Sequence, residues 1–108
     1  GILGGQRQRL HQRIHESLVD LGAFLRPTLT VLDGYRVLVR GGPGGGNIED
    51  VALKRTVVAG TDPVAIDAWA AKAWWNLDAA ALPYLSLAAR RGLGTVEFER
   101  LPLRAVAV

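Results

Sequence analysis

The residues best suited to catalysis or metal binding are acidic. Two of them lie in one short stretch, residues 62–67, which reads DPVAID. Asp62 follows an apolar run, Asp67 lies within a second one, and Asp33 ends a third. Carboxylates held at such places bind divalent cations or transfer protons. We therefore predict an acidic site in which Asp33 and Asp67 are candidate catalytic residues and in which Asp33, Asp62 and Asp67 are candidate metal ligands.

The first aspartate of residues 62–67 has a structural role that is sufficient to explain it. Asp62 precedes Pro63, and proline fits the first position of a helix, so the carboxylate is expected to accept hydrogen bonds from free amides of the first turn. A carboxylate at this positive helix end opposes an anion such as phosphate. Any site here therefore favours a cation or a proton-transfer role.

Asp67 is the stronger candidate for chemistry. It lies in residues 63–75, where Lys72 is the only other charged residue, and a helix that is apolar nearly all round is a buried one. Burying an unpaired carboxylate is costly, and Lys72 points about 140° away around the helix. We expect the partner of Asp67 to come from elsewhere in the fold or from a ligand.

Histidine is a second candidate ligand type. His11 and His15 lie four residues apart in a helix predicted over residues 7–25, a spacing that lets two imidazoles share a metal ion. The zinc-protease pattern also requires glutamate after the first histidine, and this chain has Gln12 there. We favour histidines at a helix surface as the simpler interpretation, and keep His11 as a candidate metal ligand.

Residues 41–46 include five glycines and are predicted to form a loop. Backbone amides of such a loop can approach an anion closely. Four residues of this region are therefore candidate contacts for a cofactor: Gly42, Gly44, Gly45 and Asn47. The segment matches neither the P-loop nor the dinucleotide-binding glycine pattern, so a mobile lid or a plain linker is the alternative.

The elements that must position these residues follow from apolar spacing and turn residues. Apolar residues recur every three or four positions over residues 7–25, which predicts an amphipathic helix that ends before Pro27. Residues 29–32 are a predicted strand. The Asp33-Gly34 pair then indicates either a hairpin turn or a strand that ends at Asp33, and the residues alone leave both interpretations open.

Four further elements complete the predicted order. Residues 53–60 have the apolar character of a strand that is buried on both faces. Residues 63–75 have the apolar character of a buried helix. A third helix is predicted from residue 82 until Gly92, which is expected to end it in the left-handed conformation, and a terminal strand is predicted over residues 103–108. This order predicts an α/β fold, a small mainly parallel sheet of about three strands packed with about three helices within a larger domain.

The composition fits a single α/β domain, or a fragment of one, over residues 1–108, because 49% of the residues are hydrophobic. There is no cysteine, which excludes a cysteine-ligated iron–sulfur cluster within this chain. No apolar run approaches the roughly 20 residues that span a membrane, and the first residues lack a secretion signal. We therefore predict a soluble, cytoplasmic protein with no membrane contact.

The net charge of +3 suggests nucleic acid as a partner, but the positions of the basic residues do not support it. One group of basic residues lies early in the chain, at Arg7, Arg9 and Arg13, with no aromatic residue close by. A second group lies late in the chain, and Phe98 is the only aromatic residue near it: Arg90, Arg91, Arg100 and Arg104. The stacking platforms of single-strand binders are therefore missing. We disfavour nucleic acid as a partner.

Four segments of the chain, taken in order, resemble the family called Domain of Unknown Function 362. They are residues 26–33 (RPTLTVLD), Gly42-Pro43 with further glycines, residues 62–67 (DPVAID) and residues 92–94 (GLG). His11 is also similar to a histidine in the helix that precedes the family's strand. The resemblance covers most of the chain, implies the carboxyl-terminal part of the family domain and favours a strand that ends at Asp33.

The resemblance implies a redox context, because family members are often joined to ferredoxin-like iron–sulfur segments. It also implies that the amino-terminal part of the domain is missing here. That missing part, or a second copy in a homo-oligomer, is the expected partner, since three tryptophans of one apolar helix need cover: Trp69, Trp74 and Trp75.

Two hypotheses for function follow. In the first, the domain is a ligand- or metal-binding, redox-associated module. If the strands are parallel, Asp33 and Asp62 both lie at strand carboxyl ends, where open α/β sheets bind ligands, with Asp67, His11 and Asn47 nearby. In the second, the domain is a structural or oligomerisation module with no catalytic activity of its own. The sequence leaves open whether the protein is an enzyme.

Overall fold

The computed structural model describes residues 3–42 and 44–108. The helices and strands of these residues are α1 (Gln8–His11), α2 (Ile14–Leu25), β1 (Thr30–Leu38), β2 (Val51–Gly60), α3 (Pro63–Trp75) and α4 (Pro83–Arg90). Three short 3-10 turns are interspersed, at Ile48–Asp50, Ala79–Ala81 and Phe98–Arg100. Gly1, Ile2 and Pro43 lie outside the described residues, and so does part of the Gly42-Pro43 pair of the family resemblance.

β1 and β2 form a two-stranded antiparallel ribbon, with Thr30 opposite Gly60 and Leu38 opposite Val51. The prediction of a small, mainly parallel sheet with a third strand is therefore wrong. Parallel strands need a crossover connection, usually a helix, whereas the described part of the connection from Leu38 to Val51 has no α-helix. The glycine-rich segment instead reverses the chain into a hairpin.

The Asp33-Gly34 pair lies inside β1, so both interpretations offered for it, a hairpin turn and a strand end, are wrong. A Cβ atom at Gly34 would collide with the indole ring of Trp74 on α3. The glycine thus permits close packing of the helix on the ribbon. The register shifts just beyond it, before Arg36, and on the partner strand Arg55 has a φ of 49°, which marks a β-bulge.

The amphipathic helix predicted over residues 7–25 is two helices. α1 ends at His11 and α2 begins at Ile14, and between them Arg13 leaves the helical region with φ −135° and ψ 60°. The predicted end before Pro27 is confirmed. Arg26 adopts the left-handed conformation there, and proline cannot continue the helix.

α3 is the buried helix, and its predicted start at Asp62 and Pro63 is confirmed. Six of its residues are buried: Val64, Ala65, Ile66, Ala68, Ala70 and Ala71. Its tryptophans pack edge to face on one another, and Trp75 Nε1 donates a hydrogen bond to the Leu38 carbonyl at 3.2 Å. β1 therefore contacts part of the aromatic surface for which a partner chain was expected.

The main core lies where α2, α3 and α4 meet, and it consists of Val19, Val64, Ala68, Leu85 and Ala88. Gly92 follows α4 with the predicted left-handed φ of 73°. None of the described helices is long and apolar enough to cross a membrane.

The terminal strand predicted for residues 103–108 is wrong. These residues are exposed and form no regular structure. Their apolar character favours a strand, but a strand is stabilised by hydrogen bonds to a neighbour, and within the described chain β1 and β2 pair only with each other.

Candidate functional site

The ribbon separates residues that a parallel sheet would have brought together. Asp33 lies opposite Val57, about 10 Å along the ribbon from its Gly60 end. Asp62 follows that end, whereas residues 41–47 connect the strands at the other end, roughly 25 Å away. Asp33, Asp62 and the glycine-rich loop therefore do not share one edge.

The residues predicted as metal ligands have separate surroundings. Asp33 is exposed, and its Oδ1 accepts a hydrogen bond from the Tyr35 amide at 2.8 Å. His11 is exposed at the end of α1, while His15 belongs to α2. Within residues 3–42 and 44–108, no three histidine, aspartate or glutamate residues are grouped so that they could hold a metal ion.

The loop residues predicted to contact a cofactor lie at the turn of the hairpin. The Asn47 amide donates a hydrogen bond to Asp50 Oδ2 at 3.0 Å. A Cβ atom at Gly42 would press on the last residue of β1, whereas Gly44 and Gly45 have open space around them. A cofactor role for these residues stays a prediction.

Asp62 caps α3 as predicted and also binds a second segment. Its Oδ1 accepts a hydrogen bond from the Ala65 amide at 2.9 Å, and its Oδ2 accepts one from the Thr95 amide at 2.9 Å. Gly94 lies so close that a Cβ atom there would collide with the carboxylate. Asp62 therefore joins the start of α3 to the segment after α4, and the fold uses both of its oxygens.

Asp67 is half-buried on α3, and its partner comes from α4. The Tyr84 hydroxyl donates a hydrogen bond to Asp67 Oδ2 at 3.0 Å. Lys72 pairs with Asp78 instead, at 3.0 Å. The prediction that Asp67 finds its partner elsewhere in the fold is confirmed. Because this partner is neutral, it hydrogen-bonds the carboxylate without cancelling its charge.

Burial raises the pKa of Asp67 above its ordinary value, and the hydrogen bond from Tyr84 acts in the opposite direction. Burial also raises the pKa of Tyr84, and the neighbouring carboxylate adds to this, so the phenol keeps its proton and acts as a donor. A carboxyl group with a raised pKa beside a cleft can take up and release a proton in a reaction.

His15 adds a third polar side chain to this region. Its ring is nearly parallel to that of Tyr84, with an angle of 8° and a centroid separation of 6.3 Å. Its Nδ1 atom is buried and has no hydrogen-bond partner among the described residues. Buried polar atoms are usually paired, so His15 has unused hydrogen-bonding capacity beside Tyr84.

A cleft of about 310 Å³ opens between α2, α3 and α4, beside Asp67 and Tyr84. We call it the helix cleft. Its remaining lining is apolar or glycine: Leu18, Val19, Gly22, Pro63, Val64, Leu85, Ala88 and Leu93. Small-molecule sites are typically apolar with a few polar groups, and the smallest have about this volume.

Two larger surface depressions have charged groups that are already paired or hydrogen-bonded within the protein. One, of about 470 Å³, lies along α1 and α2, where charged side chains pair with one another, such as Arg91 with Asp20. The other, of about 560 Å³, lies between β2, α3 and residues 98–103, and it contains Asp62, whose oxygens are already engaged. The helix cleft is therefore the candidate site.

Sequence reasoning missed Tyr84 as a site residue and considered His15 only as a metal ligand or as a residue of the helix surface. Tyr84 follows Pro83 at the start of an apolar helix, which indicates packing and no special chemistry. The available signal was indirect. A buried carboxylate requires a donor, and tyrosine is one of the few side chains that supply a hydroxyl from an apolar surface.

The described residues form an α/β fold in which a helical layer carries the candidate site. The model of the family described as Domain of unknown function (DUF362) matches residues 1–72, and the chain belongs to this family. That match includes Asp62 and Asp67, whereas Tyr84 and residues 92–94 lie beyond it. Comparison with curated proteins and with solved structures found no match.

The raised pKa of Asp67 predicts how stability depends on pH. At a pH below the ordinary value of 3.8 the carboxyl group is protonated in both the folded and the unfolded chain. As the pH rises through the higher pKa of the folded state, the folded chain must give up a proton that it binds more tightly, so the contribution of Asp67 to stability is lost. We expect Asp67→Asn to gain stability relative to the wild type over this rise.

Urea unfolding of both proteins at a series of pH values from 3 upward measures this difference. Other carboxylates titrate equally in both proteins and cancel. A difference in unfolding free energy that stays constant with pH would mean that Asp67 is not held in the surroundings described above.

Proposed function

We propose that this domain binds a small, largely apolar organic molecule in the helix cleft. The observation that carries the proposal is Asp67, a half-buried carboxylate beside an apolar cleft whose hydrogen-bond partner is the neutral hydroxyl of Tyr84. A carboxylate with a purely structural role is normally satisfied by several donors, as Asp62 is by two amides. Asp67 keeps capacity that a bound molecule can use.

The apolar lining supports the same proposal. Eight of the ten lining residues bring no polar side chain, so they offer apolar contact area beside the carboxylate. Asp67 and Tyr84 then fix the orientation of the bound molecule. If the domain catalyses a reaction, Asp67 is the candidate residue for proton transfer, because its raised pKa brings it closer to neutral pH.

Other roles predicted from the sequence are less directly supported. Asp33 lies on the ribbon and has no part in the helix cleft. The redox association implied by the family, and metal binding by Asp33, Asp62, Asp67 and His11, stay predictions.

A structural or oligomerisation role is the second candidate, and the ribbon favours it. Val31, Leu53 and Val57 are 60%, 56% and 67% exposed. A two-stranded ribbon is marginally stable on its own, and exposed apolar side chains in a group mark contact surfaces. The amino-terminal part of the domain, or a second copy of the chain, is the expected cover.

Titration of the ¹⁵N-labelled protein with 2-phenylethanol tests the cleft proposal. We expect saturable shifts of the Val64, Ala88 and Leu93 amides, which belong to lining residues. Gly22→Leu should abolish these shifts, because a Cβ atom at Gly22 lies 3.7 Å from Leu93 Cδ1 and a leucine side chain there occupies the cleft.

Gly44→Leu is the matched control, since a Cβ atom at Gly44 has nothing within 4 Å. This variant should bind the alcohol as the wild type does. The proposal fails if Gly22→Leu shows the same saturable shifts, or if neither 2-phenylethanol nor the related probes 2-phenylethylamine and phenylacetate shift the wild-type amides.

A further inference from the structure

The helix cleft has a charge that nothing in its lining balances. Asp67 is the only carboxylate among the ten lining residues, and none of them is lysine, arginine or histidine. Lys72, on the same helix, pairs with Asp78. An ionised carboxylate in apolar surroundings is costly unless it is paired with a cation or is well hydrogen-bonded.

The hydrogen-bonding capacity of Asp67 is also incompletely used. Oδ2 accepts the hydrogen bond from Tyr84, while Oδ1 has no hydrogen-bond partner among the described residues. An ionised carboxylate has about four acceptor positions. Asp67 therefore combines an uncompensated negative charge with unused acceptor positions, at the edge of an apolar space.

We infer that the molecule bound in the helix cleft is a small organic amine in its ammonium form, with an apolar ring or chain that fills the space beside Leu85 and Ala88. This inference rests on the proposed function. An ammonium group supplies both a positive charge and three hydrogen-bond donors, and hydrogen bonds between ionised partners are the stronger ones. A neutral alcohol supplies a hydrogen-bond donor but no positive charge, and an anion is repelled by the carboxylate of Asp67.

Three probes of similar shape and different charge test the inference at pH 7: 2-phenylethylamine, 2-phenylethanol and phenylacetate. We expect the amine to bind about 10- to 100-fold more tightly than the alcohol, which is the contribution of a charged hydrogen bond. Phenylacetate should bind most weakly. The dissociation constants come from shifts of the Val64, Ala88 and Leu93 amides in the full 108-residue chain.

Asp67→Asn should bring the affinity for the amine to that of the alcohol, because asparagine keeps the size and the acceptor oxygen and removes the charge. Asp78→Asn is the matched control. It removes a carboxylate that is exposed and pairs with Lys72, and it should leave the amine preference unchanged.

The outcomes separate this inference from the proposed function. If the alcohol binds as tightly as the amine, or if Asp67→Asn keeps the amine preference, the inference is overturned and the cleft remains a binding site. If none of the three probes shifts the cleft amides, the proposed function itself is wrong.

Discussion

Replacing Leu85 with alanine is expected to lower the free energy of unfolding by about 2 to 5 kcal/mol. Leu85 is 1% exposed, and it packs from α4 into the core formed with Val19, Val64 and Ala68. The substitution removes buried apolar groups and leaves a cavity where three helices meet. Urea unfolding followed by tryptophan fluorescence measures the loss, since α3 carries the tryptophans of the chain.

Leu103→Ala is the matched control for this substitution. Leu103 is 74% exposed and lies outside any helix or strand, so its removal should change the free energy of unfolding by less than about 0.5 kcal/mol. Equal losses in the two variants would contradict a core centred on α2, α3 and α4.

Replacing Asp62 with alanine is expected to cost about 2 to 4 kcal/mol, the sum of a lost helix cap and an amide left without its partner. The carboxylate holds the amides of Ala65 and Thr95, which belong to segments far apart in the chain. Chemical denaturation gives the total loss. Hydrogen exchange should show faster exchange of both amides in the variant.

Asp78→Ala provides the comparison for Asp62→Ala. Asp78 is exposed and forms one ion pair, with Lys72, so its loss should cost no more than about 1 kcal/mol. If the two substitutions cost the same, or if the Thr95 amide exchanges at the wild-type rate in Asp62→Ala, the role of Asp62 in joining two segments is wrong.

These predictions divide the DPVAID stretch into a structural and a chemical half. Both carboxylate oxygens of Asp62 accept hydrogen bonds from backbone amides. Gly94 lies so close to this carboxylate that a Cβ atom would collide with it, which explains the glycine at that position. Asp67, five residues later, faces a neighbouring helix and is held by one neutral donor. The stretch thus connects the stability of α3 with the candidate site.

The glycine-rich segment illustrates how a correct local prediction led to a wrong fold. As predicted, the described residues of this segment form a loop and contain no α-helix. A loop of this length can reverse the chain or cross over to a parallel neighbour, and its composition favours neither. Because β1 and β2 are antiparallel, Asp33 and the loop lie away from Asp62 along the ribbon.

The sequence by itself determined the course of α3, its cap by Asp62, the stop at Gly92 and the need of Asp67 for a distant partner. Each depends on residues within a few positions, where backbone geometry relates sequence to structure directly. Only the tertiary structure decided the direction of β2, the choice of Tyr84 as the partner of Asp67 and the existence of the helix cleft. These depend on which surfaces of separate elements meet, and spacing along the chain does not specify that.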